Sequence, residues 1–221
     1  TERTIVSVLL AGFALYFLFP IYWTLTTSLK SKASIIKLPP DWFPTQLTWS
    51  HYQEVFTQNH IAKVFLNSLL VASATTALTV AVTTLGAYGF SRFRFRGRDL
   101  WIYLTIIVRM VPGLLLIIPY YLMFQKAGLL DSLTGLVIVY VAAAIPLAIY
   151  LFMGFYNEMP AEIFESAKID GCSEYGAFSR IALPMVVPGI AVTSILVFMG
   201  AWNEFSLSLI LTFSDDKKLM P

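Results

Sequence analysis

Long apolar stretches separated by polar ones are the main pattern of this 221-residue chain. Five of them carry at most one charged residue each and are long enough for a bilayer-spanning helix, which needs about 20 apolar residues. They predict an all-α membrane protein with spans at about residues 4–29, 64–91, 100–125, 132–157 and 185–212. Two long polar segments lie between these stretches, an outer loop at residues 30–63 and a loop at residues 158–184, which we call the polar loop.

The composition agrees with a membrane protein. Hydrophobic residues make up 57% of the chain and charged residues 13%, whereas a soluble domain has about 25% charged residues. The net charge of +2 is too small to indicate a nucleic-acid partner. Cys172 is the single cysteine, so the chain has no internal disulfide.

The outer loop contains an aromatic pattern and two histidines. Three aromatic residues recur at helical spacing and predict a short helix on the membrane interface: Trp49, Tyr52 and Phe56. His51 and His60 are nine residues apart with no cysteine nearby, so we expect solvated loop histidines and no metal site.

The second apolar stretch is rich in Ala, Thr, Ser and Gly. Small residues let membrane helices approach closely, so this span is expected inside a bundle; the alternative is a lipid-facing helix. Ser91–Asp99, which follows it, has four arginines and two phenylalanines. Such a pattern is also found in nucleic-acid sites, but in a short loop between spans it indicates the cytoplasmic side of the membrane.

Two charged residues lie within predicted spans. Arg109 is in the third stretch, which Pro112-Gly113 and Pro119 interrupt, and Glu204 is in the fifth. A charge at membrane depth costs a few kcal/mol or more, so it usually faces a cavity or a partner. The alternatives are that Arg109 snorkels to the headgroups and that Glu204 is merely interfacial. The candidates for a translocation path are Arg109, Tyr120, Asn203 and Glu204.

The polar loop is predicted to fold as helix, break, helix. Pro160 suits a first helical turn, and Ala161–Ile169 contains good helix formers with acidic residues near its start. Gly171 is suited to the left-handed geometry that ends a helix, and Ser173 is suited to cap the next one. A second helix would place three apolar side chains on one face: Tyr175, Phe178 and Ile181. The pattern indicates a docking surface; the alternative is an ordinary interfacial loop.

The polar loop resembles the EAA motif of ABC-importer permeases. The residues that carry the resemblance, and that it assigns to ATPase coupling, are Glu165, Ser166, Ala167, Asp170, Gly171, Phe178, Ile181, Leu183 and Pro184. Ser166 stands where the motif has its first alanine, and it is also small. In such a motif Glu165 is expected to pair with a basic group on the ATPase, with Phe178 and Ile181 anchored in an apolar cleft of that subunit.

Other stretches extend the resemblance to most of the chain. They are Ser28-Leu29-Lys30, the Pro-Pro-Asp-Trp-Phe-Pro loop, Leu66-Asn67-Ser68-Leu69, Gly86-Ala87-Tyr88, Ser91-Arg92-Phe93, Met110-Val111-Pro112, Ile118-Pro119, Gly128-Leu129-Leu130-Asp131 and Trp202-Asn203-Glu204-Phe205. They are similar to carbohydrate-type permeases, in particular the group that resembles the second maltose permease subunit. The resemblance implies the transmembrane domain of a type I ABC importer, which usually has six spans. With five spans here, the last one is expected to be missing.

The resemblance also implies the partners. They are a dimer of ATP-binding subunits that holds ATP and Mg²⁺, a second permease subunit, an extracytoplasmic solute-binding protein, a sugar substrate and the lipid bilayer of the inner membrane. No cofactor is expected on this chain, and no G-x-x-x-x-G-K-[ST] sequence occurs in it.

The orientation rests on the arginine-rich segment. With the polar loop placed inside, seven basic residues lie on each side, so the count does not decide. The dense arginine loop favours the cytoplasmic side for itself and for the polar loop.

Two alternative functions are a self-contained carrier and a membrane enzyme. A self-contained ion-coupled secondary carrier has no need for a docking loop. A membrane enzyme needs a nucleophile–base pair or a metal cluster, and the sequence indicates neither.

Overall fold

The computed structural model describes residues 2–58 and 61–220, and within these residues all regular structure is helical. The all-α prediction is therefore confirmed. Among the described residues, three helices are long and apolar enough to cross a membrane, or five if two sharply bent helix pairs each count as one span. The chain divides into two compact units, Thr1–Ala62 and Lys63–Pro221.

The first unit is a long helix followed by a folded loop. No residue in the apolar window of helix α1 (Glu2–Ser28) is buried, so its apolar side chains are open to lipid or to another protein. The loop contains two short helices, α2 (Lys32–Ile35) and α3 (Ser50–Gln58). Helix α3 coincides with the predicted interfacial helix, and Trp49 lies immediately before it.

Lys30 anchors the loop at the end of α1. This lysine is only 2% exposed. Its ammonium group donates to the carbonyl oxygen of Asp41 at 2.5 Å and lies 4.4 Å from the centre of the Trp23 ring. Nε2 of His51 lies 2.9 Å from the carbonyl oxygen of Lys30, so this ring is held by the loop and is not simply solvated as predicted. His60 lies outside the described residues.

Two long helices follow the second and fourth apolar stretches. Helix α4 (Ile61–Arg92) buries one row of mostly small residues, but only 33% of its apolar window is buried, so it packs on the other helices through one face. Helix α7 (Leu133–Asn157) begins at Ser132, whose hydroxyl accepts a hydrogen bond from the Gly135 amide, and it continues through Pro146.

The third apolar stretch, predicted as a span at residues 100–125 that Pro112-Gly113 and Pro119 interrupt, is broken at the first of these two points. It forms helix α5 (Arg98–Arg109), a 3₁₀ turn at Gly113–Leu116 and helix α6 (Ile117–Ala127), with a bend of 94° between the two arms. The break lies at Pro112, because a proline disfavours helical geometry in the residue before it. Pro119 causes no break, since it lies in the first turn of α6, where its missing N–H has no partner to lose.

The fifth apolar stretch is also interrupted, although it was predicted as one span at residues 185–212. Its central helix, α11, ends at Trp202, and a short helix, α12, begins only at Ser206. A 69° bend separates α11 from the helical segment before it. The elements from the polar loop onward are α8 (Ala161–Ile169), α9 (Glu174–Ala177), a π-helical turn (Phe178–Ala182), α10 (Leu183–Met185), α11 (Val187–Trp202), α12 (Ser206–Leu211) and a 3₁₀ turn (Asp215–Lys217).

Two apolar clusters hold the second unit together. The first joins α4, α6, α7 and the end of the chain around Val71, Leu136, Val139, Tyr140 and Leu211. The second joins the other ends of α4 and α7 to the polar loop around Tyr88, Phe152, Tyr156, Phe164 and Val186. Because part of the polar loop belongs to a buried cluster, it is packed onto the helices and is not a loose connection.

Candidate functional site

The first helix of the polar loop ends as the sequence predicts. Helix α8 follows Pro160, and Gly171 after it has a φ of +81°, the left-handed region that favours glycine. The amide of Gly171 donates to the carbonyl oxygen of Lys168 at 3.0 Å, and the amide of Cys172 donates to that of Ala167 at 2.9 Å. These two bonds are the Schellman arrangement, which fixes the direction of the chain after the helix.

The second helix of the polar loop begins as predicted but buries a different face. The Ser173 hydroxyl accepts a hydrogen bond from the Gly176 amide at 3.1 Å and so caps the helix start. The π-helical turn inserts an extra residue, so the buried positions are Ala177, Ala182 and Val186, with spacings of five and four. Tyr175 is 78% exposed, which makes the predicted common face of Tyr175, Phe178 and Ile181 wrong.

Phe178 and Ile181 pack inside the chain. The Phe178 ring centre lies 5.0 Å from that of Tyr88, and Ile181 packs against the same buried cluster. Both side chains are only partly buried there, and their anchoring in an apolar cleft of another subunit, which the resemblance implied, stays a prediction. Leu183 is half-buried and Pro184 is exposed. Phe178, Ile181 and Leu183 therefore attach the second helix of the polar loop to α4 and α7.

Arg92 attaches the first helix of the polar loop. The guanidinium carbon lies 3.7 Å from the centre of the Phe164 ring. The same group donates to the carbonyl oxygens of Tyr156 and Met159, each at 3.3 Å. The sequence indicated Arg92 as a cytoplasmic positive charge and as part of a stretch that resembles the family, but it gave no sign of these contacts, because the partners lie far along the chain.

The outer surface of the polar loop exposes both acidic and large apolar side chains. Glu165, Ser166 and Asp170 are exposed, as a docking role requires. Two large apolar side chains that the motif did not indicate are also exposed, Ile169 at 86% and Tyr175 at 78%. Ala167 is buried, so its small size serves packing within this chain and not, as expected, the docking surface.

An ion pair joins the two helices of the polar loop. Nζ of Lys168 lies 2.5 Å from Oε1 of Glu174, and this hydrogen bond raises the pKa of Lys168 above its usual value. Both side chains are about half exposed, so the pair contributes little to stability. Its geometric effect is to link the helices on either side of the Gly171 turn.

A second candidate site is a cavity of about 280 Å³ between the long helices of the second unit. Arg109 at the end of α5 and Glu204 beyond the end of α11 both line it, so the structure brings together two predicted path residues. Among the described residues, no ion pair within 4 Å joins the two side chains. Much of the wall is formed by small residues, namely Ala143, Ala144, Gly200 and Ala201.

Glu204 also stabilises the start of helix α12. Its Oε1 accepts a hydrogen bond from the Leu207 amide at 3.0 Å and so caps the start of α12. The hydroxyl of Tyr140, another residue of the cavity wall, donates to the carbonyl oxygen of Glu204 at 3.0 Å. The break after α11 is thereby held in place, with the acidic side chain at the cavity.

The two other predicted path residues do not line this cavity. Tyr120 packs against an apolar cluster, and the amide nitrogen of Asn203 donates to the Met199 carbonyl oxygen at 2.7 Å. Sequence reasoning missed Thr75, which does line the cavity. Thr75 is 0% exposed, and its hydroxyl has no hydrogen-bond partner among the residues that the structure describes.

Within residues 2–58 and 61–220, no group of three or more His, Cys, Asp or Glu residues is arranged to hold a metal ion.

Comparison with known proteins identifies the family. The family described as binding-protein-dependent transport system inner membrane component matches residues 80–216, which is more than half of the chain. The chain belongs to this family. It is therefore a permease, the membrane component of an ABC importer, as the resemblance in its sequence predicted.

Curated relatives of the permease agree along nearly its whole length. It is 32% identical to the diacetylchitobiose uptake system permease protein DasC of Streptomyces coelicolor over 203 residues, covering 92% of this chain and 74% of that protein. It is 34% identical to the sulfoquinovosyl glycerol transport system permease protein SmoH of Agrobacterium fabrum, covering 87% of this chain and 67% of that one. It is 31% identical to the trehalose transport system permease protein SugB of Mycobacterium tuberculosis, and the match covers 96% of this chain and 76% of that one.

The fold of the permease matches a solved structure. That crystal structure is of a bacterial ABC transporter involved in the import of the acidic polysaccharide alginate. The TM-score is 0.83 at 23% identity, and the match covers 98% of this chain and 76% of that one. At this identity the likeness concerns the fold alone, and it confirms the expected architecture of an ABC-importer permease.

Proposed function

We propose that the permease forms half of the translocation path of an ATP-driven sugar importer and is coupled to an ATP-binding subunit through the polar loop. The relatives support a saccharide substrate, since they are named for diacetylchitobiose, sulfoquinovosyl glycerol and trehalose. These names include one charged and two neutral saccharides, so they suggest the class but not the individual compound.

The main support for the coupling role is that the polar loop has one side packed on the long helices and one side exposed. Its inner side is attached to the long helices through Arg92 on Phe164 and through Phe178 on Tyr88. Its outer side exposes Glu165 together with apolar side chains. A partner bound to the outer side therefore acts on a rigid body whose motion is transmitted to α4 and α7. Glu165, Ser166, Ile169, Asp170 and Tyr175 form the proposed contact surface, and Gly171 sets its turn.

Membership in the family supports the following partners. A dimer of ATP-binding subunits holds ATP and Mg²⁺ and docks on the polar loops of two permeases, while a solute-binding protein delivers the sugar from outside. The permease lies in the inner membrane with the polar loop on the cytoplasmic side, where ATP is present. The unburied apolar surface of α1 is available to the second permease or to lipid.

Co-purification with the ATP-binding subunit tests the coupling role. Glu165→Lys reverses a charge on the contact surface, and Gly171→Pro is incompatible with a φ of +81°. Both variants are expected to remain in the membrane and to lose the ATPase. Glu54→Lys in the outer loop is the charge-matched control and is expected to retain it.

Two results would reject the proposal. Unchanged ATPase association in both polar-loop variants would show that the loop does not dock. Sugar uptake by the permease with no ATP-binding subunit present would instead indicate a self-contained carrier.

A further inference from the structure

The loop after α1 contains a segment that folds back along the helix. This segment, residues 38–44, has three prolines and two aromatic residues, and we call it the aromatic hook. The ring centre of Trp42 in the hook lies 6.0 Å from that of Trp23 and 6.1 Å from that of Phe19. At Thr48 the chain has returned to the end of α1, because the Thr48 amide donates to the carbonyl oxygen of the residue that follows the helix.

The hook reaches the boundary between lipid headgroups and hydrocarbon. Helix α1 has 27 residues and is about 40 Å long, close to the thickness of about 40–45 Å of a bilayer with both interfacial layers. Trp23 and Phe19 lie five and nine residues before its last residue, Ser28, which is about 7.5 and 13.5 Å inward along the axis. Since each interfacial layer is only about 5–8 Å thick, the Trp42 ring beside them lies at its inner edge.

The outward side of the hook is not covered by the described part of the chain. Trp42 is 61% exposed, Phe43 70% and Leu38 89%. The Phe43 ring centre lies 6.0 Å from that of Tyr22 in α1, and no residue in the apolar window of α1 is buried. Hook and helix therefore present one continuous apolar surface at the same depth.

The polar groups of the hook suit a layer with little water, where an unpaired N–H or C=O group is costly. The three prolines have no N–H to satisfy. The carbonyl oxygen of Trp42 accepts a hydrogen bond from the Tyr22 hydroxyl at 2.7 Å. The carbonyl oxygen of Asp41 accepts one from the Lys30 ammonium at 2.5 Å. The Asp41 carboxylate is paired with Lys37 at 2.9 Å, so its charge is balanced.

The depth of the hook favours lipid over a soluble partner. A protein that docks from the water phase stops at the membrane surface, whereas Trp42 and Phe43 pack on residues inward of the end of α1. A tryptophan ring combines an apolar body with one polar N–H, and it is therefore enriched at the headgroup level of membranes. Because the Asp41 charge is balanced, burial of the rings and not charge provides the attraction.

We propose that the aromatic hook is a membrane anchor, which inserts the Trp42 and Phe43 side chains among the phospholipids of the leaflet at this end of α1. The partner is the lipid surface, and insertion does not require anionic headgroups. Since the hook is bonded to α1 through Tyr22, the anchor fixes the level of that helix in the bilayer.

A fluorescent label in the hook tests the anchor in the assembled transporter with cysteine-free partner subunits. Phe43→Cys in a Cys172→Ser background is labelled with the fluorophore NBD and reconstituted into phosphatidylcholine vesicles. Gln53→Cys on the exposed side of α3 is the matched control. The label at position 43 is expected to be quenched strongly by lipids that carry a nitroxide near the headgroup and weakly by aqueous iodide. The label at position 53 should show the reverse.

Two results of this experiment would overturn the proposal. Iodide quenching at position 43 as strong as at position 53 would place the hook in water. Quenching at position 43 by neither agent would place it under a protein, either the second permease or the solute-binding protein.

Tryptophan fluorescence of the purified permease provides a second test that needs no label. Trp42→Phe and Trp202→Phe each remove one indole and keep an aromatic ring, but Trp202 is packed against an apolar cluster of the second unit. In vesicles of brominated phosphatidylcholine, Trp42→Phe is expected to lower the lipid-quenched part of the fluorescence, and Trp202→Phe should leave it unchanged. An equal lipid-quenched part in both variants would reject the anchor.

Discussion

The guanidinium carbon of Arg92 lies 3.7 Å from the centre of the Phe164 ring, so the last residue of α4 is stacked on the first helix of the polar loop. A planar guanidinium suits this position because it stacks on an aromatic face while its N–H groups bond elsewhere. In Arg92 they bond to the carbonyl oxygens of Tyr156 and Met159. One side chain thus joins α4, the end of α7 and α8.

Arg92→Lys is expected to weaken this junction. Lysine keeps the charge but loses the flat stacking surface and the fixed fork of donors, so the permease should be destabilised by about 1–2 kcal/mol. Thermal unfolding of the purified permease measures the effect, with Arg96→Lys as the control, since Arg96 is exposed. Equal unfolding midpoints for the two variants would mean that the stacking contributes nothing measurable.

Gly171→Ala is expected to strain the turn of the polar loop. The φ of Gly171 is +81° and no neighbouring atom lies within 4 Å of an added Cβ, so the cost is conformational. It should amount to about 1–2 kcal/mol. Gly154→Ala in α7, where a Cβ also meets nothing, should be neutral or stabilising. Hydrogen exchange of the polar loop reports the difference, and equal protection in both variants would contradict the prediction.

Gly189→Ala is expected to disturb the start of α11. A Cβ at this position would lie 2.6 Å from a ring carbon of Phe155. The ring or the helix must move, which typically costs about 1–3 kcal/mol for overpacking. Gly200→Ala on the same helix provides the control, because its Cβ meets nothing within 4 Å. Comparison of the two unfolding midpoints checks the prediction, which fails if Gly189→Ala is as stable as Gly200→Ala.

Asp131 makes the attachment of Phe213 and Ser214, which follow α12, dependent on pH. Its carboxylate accepts hydrogen bonds from the hydroxyl and amide of Ser214 and from the Phe213 amide. These bonds hold the pKa of Asp131 below its ordinary value of 3.8. A lowered folded-state pKa means that the stabilisation is complete above 3.8 and is lost as the pH falls through the folded-state value.

The comparison of wild type with Asp131→Asn tests this dependence. The difference between their unfolding midpoints should be constant at neutral pH and should shrink as the pH falls below the ordinary aspartate value, since protonation removes the acceptor in the wild type. A difference that does not change with pH would show that the carboxylate charge is not involved.

The native Cys172 provides a test of membrane sidedness. It lies in the polar loop and is partly exposed, so a membrane-impermeant maleimide should label it in inverted vesicles and not in intact cells. A cysteine placed at the exposed Thr45 in a Cys172→Ser background should show the opposite pattern. Labelling of Cys172 from outside intact cells would reverse the proposed orientation.

The sequence predicted those elements that depend on local chemistry. Helices α4 and α7 follow the predicted apolar stretches within about three residues, because an uncharged run of that length has few alternatives to a helix. The turn at Gly171 and the cap at Ser173 were also predicted, since each depends on one residue and its neighbours. Pro119 was misjudged because its effect depends on where the helix begins, and that is decided by the break at Pro112.

The candidate site was only partly predictable, because the packing of distant helices decides which side chains meet there. Arg109 and Glu204 were found because a charge within an apolar stretch is itself a signal. Thr75 and Tyr140 give no such signal, and they become significant only because packing places them at one cavity. The π-helical turn moved the buried face from the predicted residues to Ala177 and Ala182, which no count of helical spacing would find.

The sequence by itself therefore determined that this is a helical membrane permease, and where its polar loop begins, turns and ends. The tertiary structure decided which side of that loop faces inward, that Arg92 meets Phe164, and that one cavity carries Arg109, Glu204 and Thr75. Hydropathy, capping and turn geometry act between residues close in the chain. The meeting of distant side chains depends on how whole helices pack, and no local pattern records that.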